Sequence, residues 1–141
     1  MKKSLLIVAA LILLVGGLFI GCAPAVTVDF LGGEWQCNLE GSALGITVQN
    51  EYALEFNNDN TYVFNESYGA EGVLTDSYVT NGDWKYEKNI LTLTPDDGSG
   101  PYTFEVTTYS FQDDHILLND QDGMLEDIEG NSGGEFDFFK Q

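Results

Sequence analysis

Short runs in which apolar and polar residues alternate recur about every 8–12 residues from Gly32 onward, with turn-forming residues between them. Alternation with a period of two indicates a strand with one buried face, and no segment keeps the apolar spacing of an amphipathic helix. The pattern therefore predicts an all-β sandwich or barrel. The predicted strands span residues 34–39, 51–56, 61–66, 72–80, 83–87, 90–94, 102–111, 115–119 and 135–139, and residues 124–128 form either a further strand or a single helical turn.

Tight turns between these runs predict how the strands connect. The Asn57-Asn58-Asp59-Asn60 segment has turn chemistry, and Asn81-Gly82 is a strong two-residue hairpin signal because both residues accept positive φ. Pro95–Pro101 is predicted as a loop, and Tyr102–Phe111 as the longest strand. Successive hairpins give an antiparallel up-and-down meander of 8–10 strands, and such a meander removes its edges by closing into a small β-barrel.

One face of each predicted strand is aromatic or aliphatic, so the interior is expected to be apolar. The predicted inward-facing residues are Trp35, Leu54, Phe56, Tyr62, Phe64, Trp84, Leu91, Leu93, Phe104, Val106, Phe136 and Phe138. The aromatic members of this set either line a cavity for a small apolar ligand or simply fill the core, since a barrel of this size holds side chains or one small ligand. Those candidates are Trp35, Phe56, Tyr62, Phe64, Trp84, Phe104, Phe136 and Phe138.

The amino-terminal segment has a different pattern. Lys2 and Lys3 precede an uncharged apolar run from Leu5 to Ile20, and Gly21 then stands directly before Cys22. A basic head, an apolar run and a small residue before the cut are typical of a secretory signal peptide, here expected to be helical. With cysteine as the first residue after the cut, the segment resembles a prokaryotic lipoprotein signal, which implies that Cys22 carries a lipid.

An uncleaved membrane anchor is the alternative, since residues 5–23 nearly reach the length of about 20 apolar residues that a span requires. Both interpretations place the rest of the chain on the extracytoplasmic side of a cell membrane and tether it there. A lipoprotein-type cysteine carries two or three acyl chains, enough for stable anchoring. The predicted organisation is a signal peptide over residues 1–21, a tether over 22–31 and one domain over 32–141.

Net charge narrows the set of partners. The chain carries a formal charge of −18, has no arginine, and places all 23 acidic residues after Cys22. Nucleic acid is excluded as a partner because phosphate binding needs a basic surface, and electrostatic attraction to anionic lipid is excluded for the same reason. A cationic protein partner is compatible with this surface.

Catalytic chemistry has little support in the sequence. His115 is the single histidine and follows two aspartates at a predicted turn, where a solvated side chain is expected. Cys37 lies in a strand and is expected to be a buried structural thiol. The Asp120–Gly123 segment resembles part of a calcium-binding loop, but Leu118 occupies the position that should supply its first ligand. We expect no catalytic residue, no metal, no cofactor and no enzymatic activity.

Several motifs in order resemble a known family. Gly33-Glu34-Trp35 opens the first strand, and residues 54–62, 82–86 and 89–93 follow with apolar strands, polar turns and aromatic residues. Over residues 32–140 this order is similar to small bacterial lipocalin-like domains, which are often carried on lipoproteins. The resemblance implies an up-and-down barrel that binds a small apolar ligand. In lipocalins the tryptophan of the first motif packs against a basic residue near the last strand, a place that Lys140 takes here.

A second function remains open from the sequence. The barrel could be solid and serve as a surface interaction or structural module without a small-molecule ligand. In that case the acidic exterior, or the loops at Glu40–Thr47 and Pro95–Pro101, would contact the partner.

Overall fold

The computed structural model describes residues 27–109 and 114–141, so the predicted signal peptide and Cys22 lie outside the described residues. A single-turn helix precedes eight strands. The elements are α1 (Val28–Leu31), β1 (Gly33–Ala43), β2 (Ile46–Phe56), β3 (Thr61–Ala70), β4 (Val73–Glu87), β5 (Ile90–Pro95), β6 (Tyr102–Thr108), β7 (His115–Asp120) and β8 (Gly134–Lys140).

The strands form one antiparallel meander that closes on itself. Each strand pairs with the next, and β1 pairs with β8 to complete a barrel. The predicted fold class, an all-β up-and-down barrel, is confirmed. Among the described residues, no helix has the length and apolar character needed to cross a membrane.

The closing pair of strands is short and is reinforced by side chains. Only Trp35 and Gln36 of β1 pair with β8. The Lys140 Nζ lies 5.2 Å from the centre of the Trp35 ring and donates a hydrogen bond to the Phe30 carbonyl oxygen at 2.9 Å. The Trp35 indole N–H donates to the Leu31 carbonyl oxygen at 2.7 Å. The contact expected between Lys140 and Trp35 is therefore present. The hydrogen bonds from these two side chains to α1 connect the helix to the last strand and to the first.

The interior is a single apolar cluster. All twelve residues predicted to face inward are buried. Six further apolar residues are buried: four continue the alternation within strands, whereas Leu31 lies in α1 and Leu125 in the loop between β7 and β8. These additional buried residues are Leu31, Cys37, Tyr52, Ile116, Leu118 and Leu125.

The hairpin predicted at Asn81-Gly82 is wrong, because β4 runs straight through both residues. Gly82 is needed there for a different reason. A Cβ on this residue would lie 2.1 Å from the Thr94 carbonyl oxygen of the neighbouring strand. Glycine inside a strand often marks such a close backbone approach. The glycine that suggested a turn is needed because the backbone of the neighbouring strand leaves no room for a side chain.

Two further expectations are corrected. Residues 124–128 are neither a strand nor a helical turn and contribute only one isolated bridge, between Glu126 and Ser132. The longest strand is β4, with 15 residues, whereas β6 ends at Thr108. Phe111, predicted to end that strand, lies outside the described residues.

Candidate interaction surface

The first four strands reach farther than the last four. Strand β5 pairs with β4 only over Gly82–Glu87, and β8 pairs with β1 only at Trp35 and Gln36. The pairing of β1 with β2 and of β3 with β4 continues to both hairpin tips. Residues 38–50 and 66–81 therefore project from one end of the barrel as an open sheet, called the extension below.

Exposed apolar side chains are concentrated on this extension. Six of the ten large apolar residues exposed in the described part of the chain belong to it. Val73 and Val79 remain 62% and 58% exposed. Because exposed apolar surface concentrated in one region marks interaction sites more often than scattered single residues do, the extension is the leading candidate for a contact surface. The six residues are Leu44, Ile46, Val73, Leu74, Tyr78 and Val79.

The inner face of the extension combines tyrosines with carboxylates. Glu66 pairs with Tyr78 across β3 and β4, and the Tyr68 hydroxyl donates a hydrogen bond to the Glu66 carboxylate. The Tyr68 and Tyr78 rings meet edge to face at 6.4 Å. Burial raises the pKa of the Glu66 carboxyl, the Tyr68 hydrogen bond opposes that shift, and the Glu126 carboxylate adds to it. A positive charge placed beside Glu66 would therefore stabilise its ionised form.

A loop between β7 and β8, residues 121–133, folds over the same end of the barrel and is called the cap loop below. Its Leu125 is fully buried in the core. The Tyr52 hydroxyl donates to the Glu126 carbonyl oxygen at 2.7 Å and accepts from the Glu126 N–H at 3.3 Å. The Ile128 side chain packs against Gly41 of β1, and a Cβ added to Gly41 would lie only 2.8 Å from it. The cap loop is thus fastened to the inner face of β1 and β2.

Asp120 holds the beginning of the cap loop. It is 5% exposed, and its carboxylate accepts hydrogen bonds from the N–H groups of Asp122, Gly123 and Leu125 at 3.1, 3.0 and 2.7 Å. The resemblance of this segment to a calcium loop has a structural explanation, since an aspartate before a Gly-containing turn satisfies backbone donors. No group of three or more potential metal-ligating residues was found in the described part of the chain.

Aromatic side chains fill the barrel beneath the cap loop. The Tyr52 ring lies 5.9 Å from Phe64 and 6.1 Å from Phe136, centre to centre. Phe56 and Trp84 lie 5.0 Å apart nearer the other end. All eight aromatic residues singled out from the sequence are buried, as described above. Among them Phe56 contacts Trp84, and Phe64 and Phe136 each contact Tyr52. A cavity of about 260 Å³ lies on the outer surface, beside Lys85, Lys88 and Thr92.

Two buried tyrosines should respond oppositely to loss of their hydroxyl groups. The Tyr52 hydroxyl exchanges two hydrogen bonds with Glu126, whereas the buried Tyr62 hydroxyl has no hydrogen-bond partner in the described part of the chain. We expect Tyr52→Phe to lower the free energy of unfolding by about 1–2 kcal/mol, and Tyr62→Phe to leave it unchanged or raise it by about 1 kcal/mol. Urea titration of the two variants checks this, and equal losses would contradict it.

The two residues considered for nucleophilic chemistry, His115 and Cys37, lie outside residues 38–50, 66–81 and 121–133. His115 is not a solvated turn residue as expected: its ring is stacked between Tyr109 and Phe139, and its Nε2 lies 2.7 Å from the Asp137 Oδ1. Cys37 is buried, as expected. Burial, and next the Asp137 carboxylate, raises the pKa of the Cys37 thiol to about 12. The thiol is therefore protonated at neutral pH and is a poor nucleophile.

Comparison with known proteins gives the family. The sequence family described as the NlpE N-terminal domain matches residues 45–130, which is more than half of the chain. The chain belongs to the NlpE N-terminal domain family. Its matched part includes β2 to β7, most of the extension and most of the cap loop. This membership supports a barrel domain of a bacterial lipoprotein family acting in the cell envelope, and it is not a match to lipocalins as such.

A solved structure is also similar. The crystal structure of the Cpx pathway activator NlpE from Escherichia coli shares 23% sequence identity with the chain at a TM-score of 0.45. The similarity covers 71% of this chain and 44% of that protein, so the chain spans less than half of its length. No curated protein matches the chain.

Proposed function

We propose that this protein is a lipid-anchored, extracytoplasmic module that binds another envelope protein through the extension, and that it acts by contact and not by catalysis. The observation that carries the proposal is the contrast between the two parts of the fold. The interior is filled with aromatic side chains and covered by the cap loop, whereas the extension exposes its apolar side chains to solvent. A filled barrel is a scaffold, and the exposed sheet is the part suited to recognition.

The position of the proposed anchor supports this role. Cys22 precedes Val28 by six positions, so the chain between them reaches at most about 20 Å. Helix α1 and the start of β1 lie at the end of the barrel opposite to the extension, because the strands are antiparallel and β1 runs from Gly33 toward its tip at Ala43. With Cys22 lipidated, the extension faces away from the membrane and toward other envelope components.

Charge indicates the kind of protein partner. The formal charge of −18 favours a partner with a basic surface, because complementary potentials speed association and suppress wrong partners. Family membership is compatible with a signalling partner, since the NlpE of Escherichia coli is described as a pathway activator. A small apolar ligand bound within the barrel is the competing proposal.

In-cell photo-crosslinking tests the contact surface. A photoreactive phenylalanine analogue is placed at Val79 on the extension and, as the matched control, at Glu105 on the outer face of β6, with the lipidated full chain expressed in its host. We expect a discrete crosslinked protein from position 79 at a yield at least fivefold above that from position 105. Equal yields from the two positions would refute the extension as the contact surface.

Two further measurements test the remaining parts of the proposal. Mass spectrometry of the purified protein should show a chain that begins at Cys22 and carries acyl groups, whereas an uncleaved anchor would keep residues 1–21 and carry none. Native mass spectrometry of the full chain released from detergent should give the mass of the lipidated protein alone. A reproducible additional mass that denaturation releases would instead favour the apolar-ligand function.

A further inference from the structure

One edge of the extension is open to a further strand. The Asn81 carbonyl oxygen accepts from the Asp96 N–H at 2.9 Å, so this backbone group points away from β3 and toward the β5 side. Because backbone groups alternate in direction along a strand, Ser77 and Val79 direct their N–H and C=O groups the same way. Within residues 27–109 and 114–141, no strand pairs with that side of β4 before Gly82.

The side chains along this edge differ between its two faces. Asp76 and Tyr78 lie on the inner face, in the same alternation as the buried Trp84, and Tyr78 is 59% exposed. Val79 lies on the outer face and is 58% exposed. A strand added here would therefore meet a carboxylate and an aromatic ring on one face and a β-branched apolar side chain on the other, and cross-strand pairs of these kinds select their partners.

The surroundings of the edge are uniformly acidic. Asp96 and Asp97, both exposed, stand at the point where the open edge begins, and Glu66 lies across from Tyr78 on β3. No lysine or arginine occurs anywhere between residues 4 and 84. A second copy of this chain would bring the same negative charges against each other, whereas a basic segment would be attracted and could place a cation over the Tyr78 ring.

We propose that the open edge of β4 between Val73 and Asn81 receives an extended segment of a partner protein as an added strand, and that this segment alternates basic residues with β-branched apolar ones. The basic side chains lie beside Asp76 and Tyr78, and the apolar ones beside Val79. Backbone hydrogen bonds to Ser77 and Val79 supply affinity, and the alternation supplies specificity. This inference rests on the proposed function and names the partner chemistry of the same surface.

A synthetic peptide tests the inference directly. The probe is an acetylated, amidated and fluorescently labelled Lys-Val-Lys-Val-Lys-Val-Lys peptide, titrated against the full chain in uncharged detergent by fluorescence anisotropy. Val79→Pro removes a backbone donor that β3 does not use, so it should weaken binding at least tenfold without changing the melting temperature. Val79→Thr keeps the donor and should stay within twofold of the parent protein.

Control peptides separate strand addition from charge alone. The same residues in block order, with four lysines followed by three valines, should bind at least fivefold more weakly, and a Glu-Val version should not bind. Equal binding of the block peptide, or equal binding to Val79→Pro, would overturn the inference. If Val79→Pro melts at a lower temperature, Asp76→Lys takes its place and should weaken binding at least tenfold, and unchanged binding would refute the proposal.

The crosslinking experiment keeps the two proposals distinguishable. The photoreactive residue is moved to position 78 in a protein that also carries Val79→Pro. If the same partner is still crosslinked, the extension remains the contact surface and only the added strand is refuted. A shift of the purified chain to a dimer that Val79→Pro dissolves would name a second copy as the occupant and refute the basic segment. Protection of the Ser77 and Val79 amides from hydrogen exchange on peptide binding is the positive result expected.

Discussion

Replacing Gly82 with alanine should lower the free energy of unfolding by about 3 kcal/mol, which is a large fraction of the stability of a small domain. The added Cβ would stand 2.1 Å from the Thr94 carbonyl oxygen and 2.8 Å from the Pro95 Cα. Both are backbone atoms, so no side-chain rotation can relieve the overlap. Strands β4 and β5 would have to separate at the point where the barrel begins.

Urea denaturation followed by tryptophan fluorescence measures this loss, and Gly32→Ala is the matched control. Gly32 has a φ of −53°, and a Cβ there would meet its nearest neighbour at an ordinary 3.5 Å. We expect the control to change the free energy of unfolding by no more than about 0.5 kcal/mol. Similar losses from both substitutions would show that β4 and β5 are not held as closely as the structure places them.

Replacing Asp120 with alanine should lower the free energy of unfolding by about 3 kcal/mol, because three backbone N–H groups lose a charged acceptor in a largely buried position. The consequence should also be local. With its first turn released, the cap loop would no longer hold Leu125 in the core. The variant should therefore bind a hydrophobic fluorescent dye under conditions in which the parent protein does not.

The matched variants for this prediction are Asp120→Asn and Asp83→Ala. The amide keeps the shape of the aspartate side chain and one acceptor oxygen, so an intermediate loss is expected. Asp83 is an exposed aspartate of β4, and its removal should change the free energy of unfolding by no more than about 0.5 kcal/mol. A loss from Asp83→Ala as large as that from Asp120→Ala would mean that net charge, and not the cap-loop hydrogen bonds, is responsible.

The meander and its core were predictable because burial imposes a period of two on every strand. Tyr62 and Phe64, or Phe136 and Phe138, share a face in the sequence and share the core in the structure. The contact of Lys140 with Trp35 was predictable only through the lipocalin resemblance. Nothing in the local sequence around either residue indicates that positions so far apart will meet.

The extension was not predictable from local patterns, and the cap loop was predictable only in part. Asn81-Gly82 has strong turn propensity, and only the approach of the Thr94 backbone shows that glycine is there for space. Strands β1 to β4 extend beyond β5 to β8 because they pair with one another as far as their hairpin tips. A single sequence does not show over what length two strands pair. For the cap loop a usable signal did exist, since Asp120 followed by Asp122-Gly123 is a side-chain-capped turn.

The short pairing of β1 with β8 joins the two ends of the chain. Lys140 and Phe30, joined by a hydrogen bond, are 110 positions apart in the chain. During synthesis or export with the amino end first, strands β1 to β7 can pair with their neighbours while β1 still waits for its last partner. The edge of β1 at Trp35 stays unpaired until β8 is available, and any delay between the two ends leaves this edge able to pair with the wrong chain.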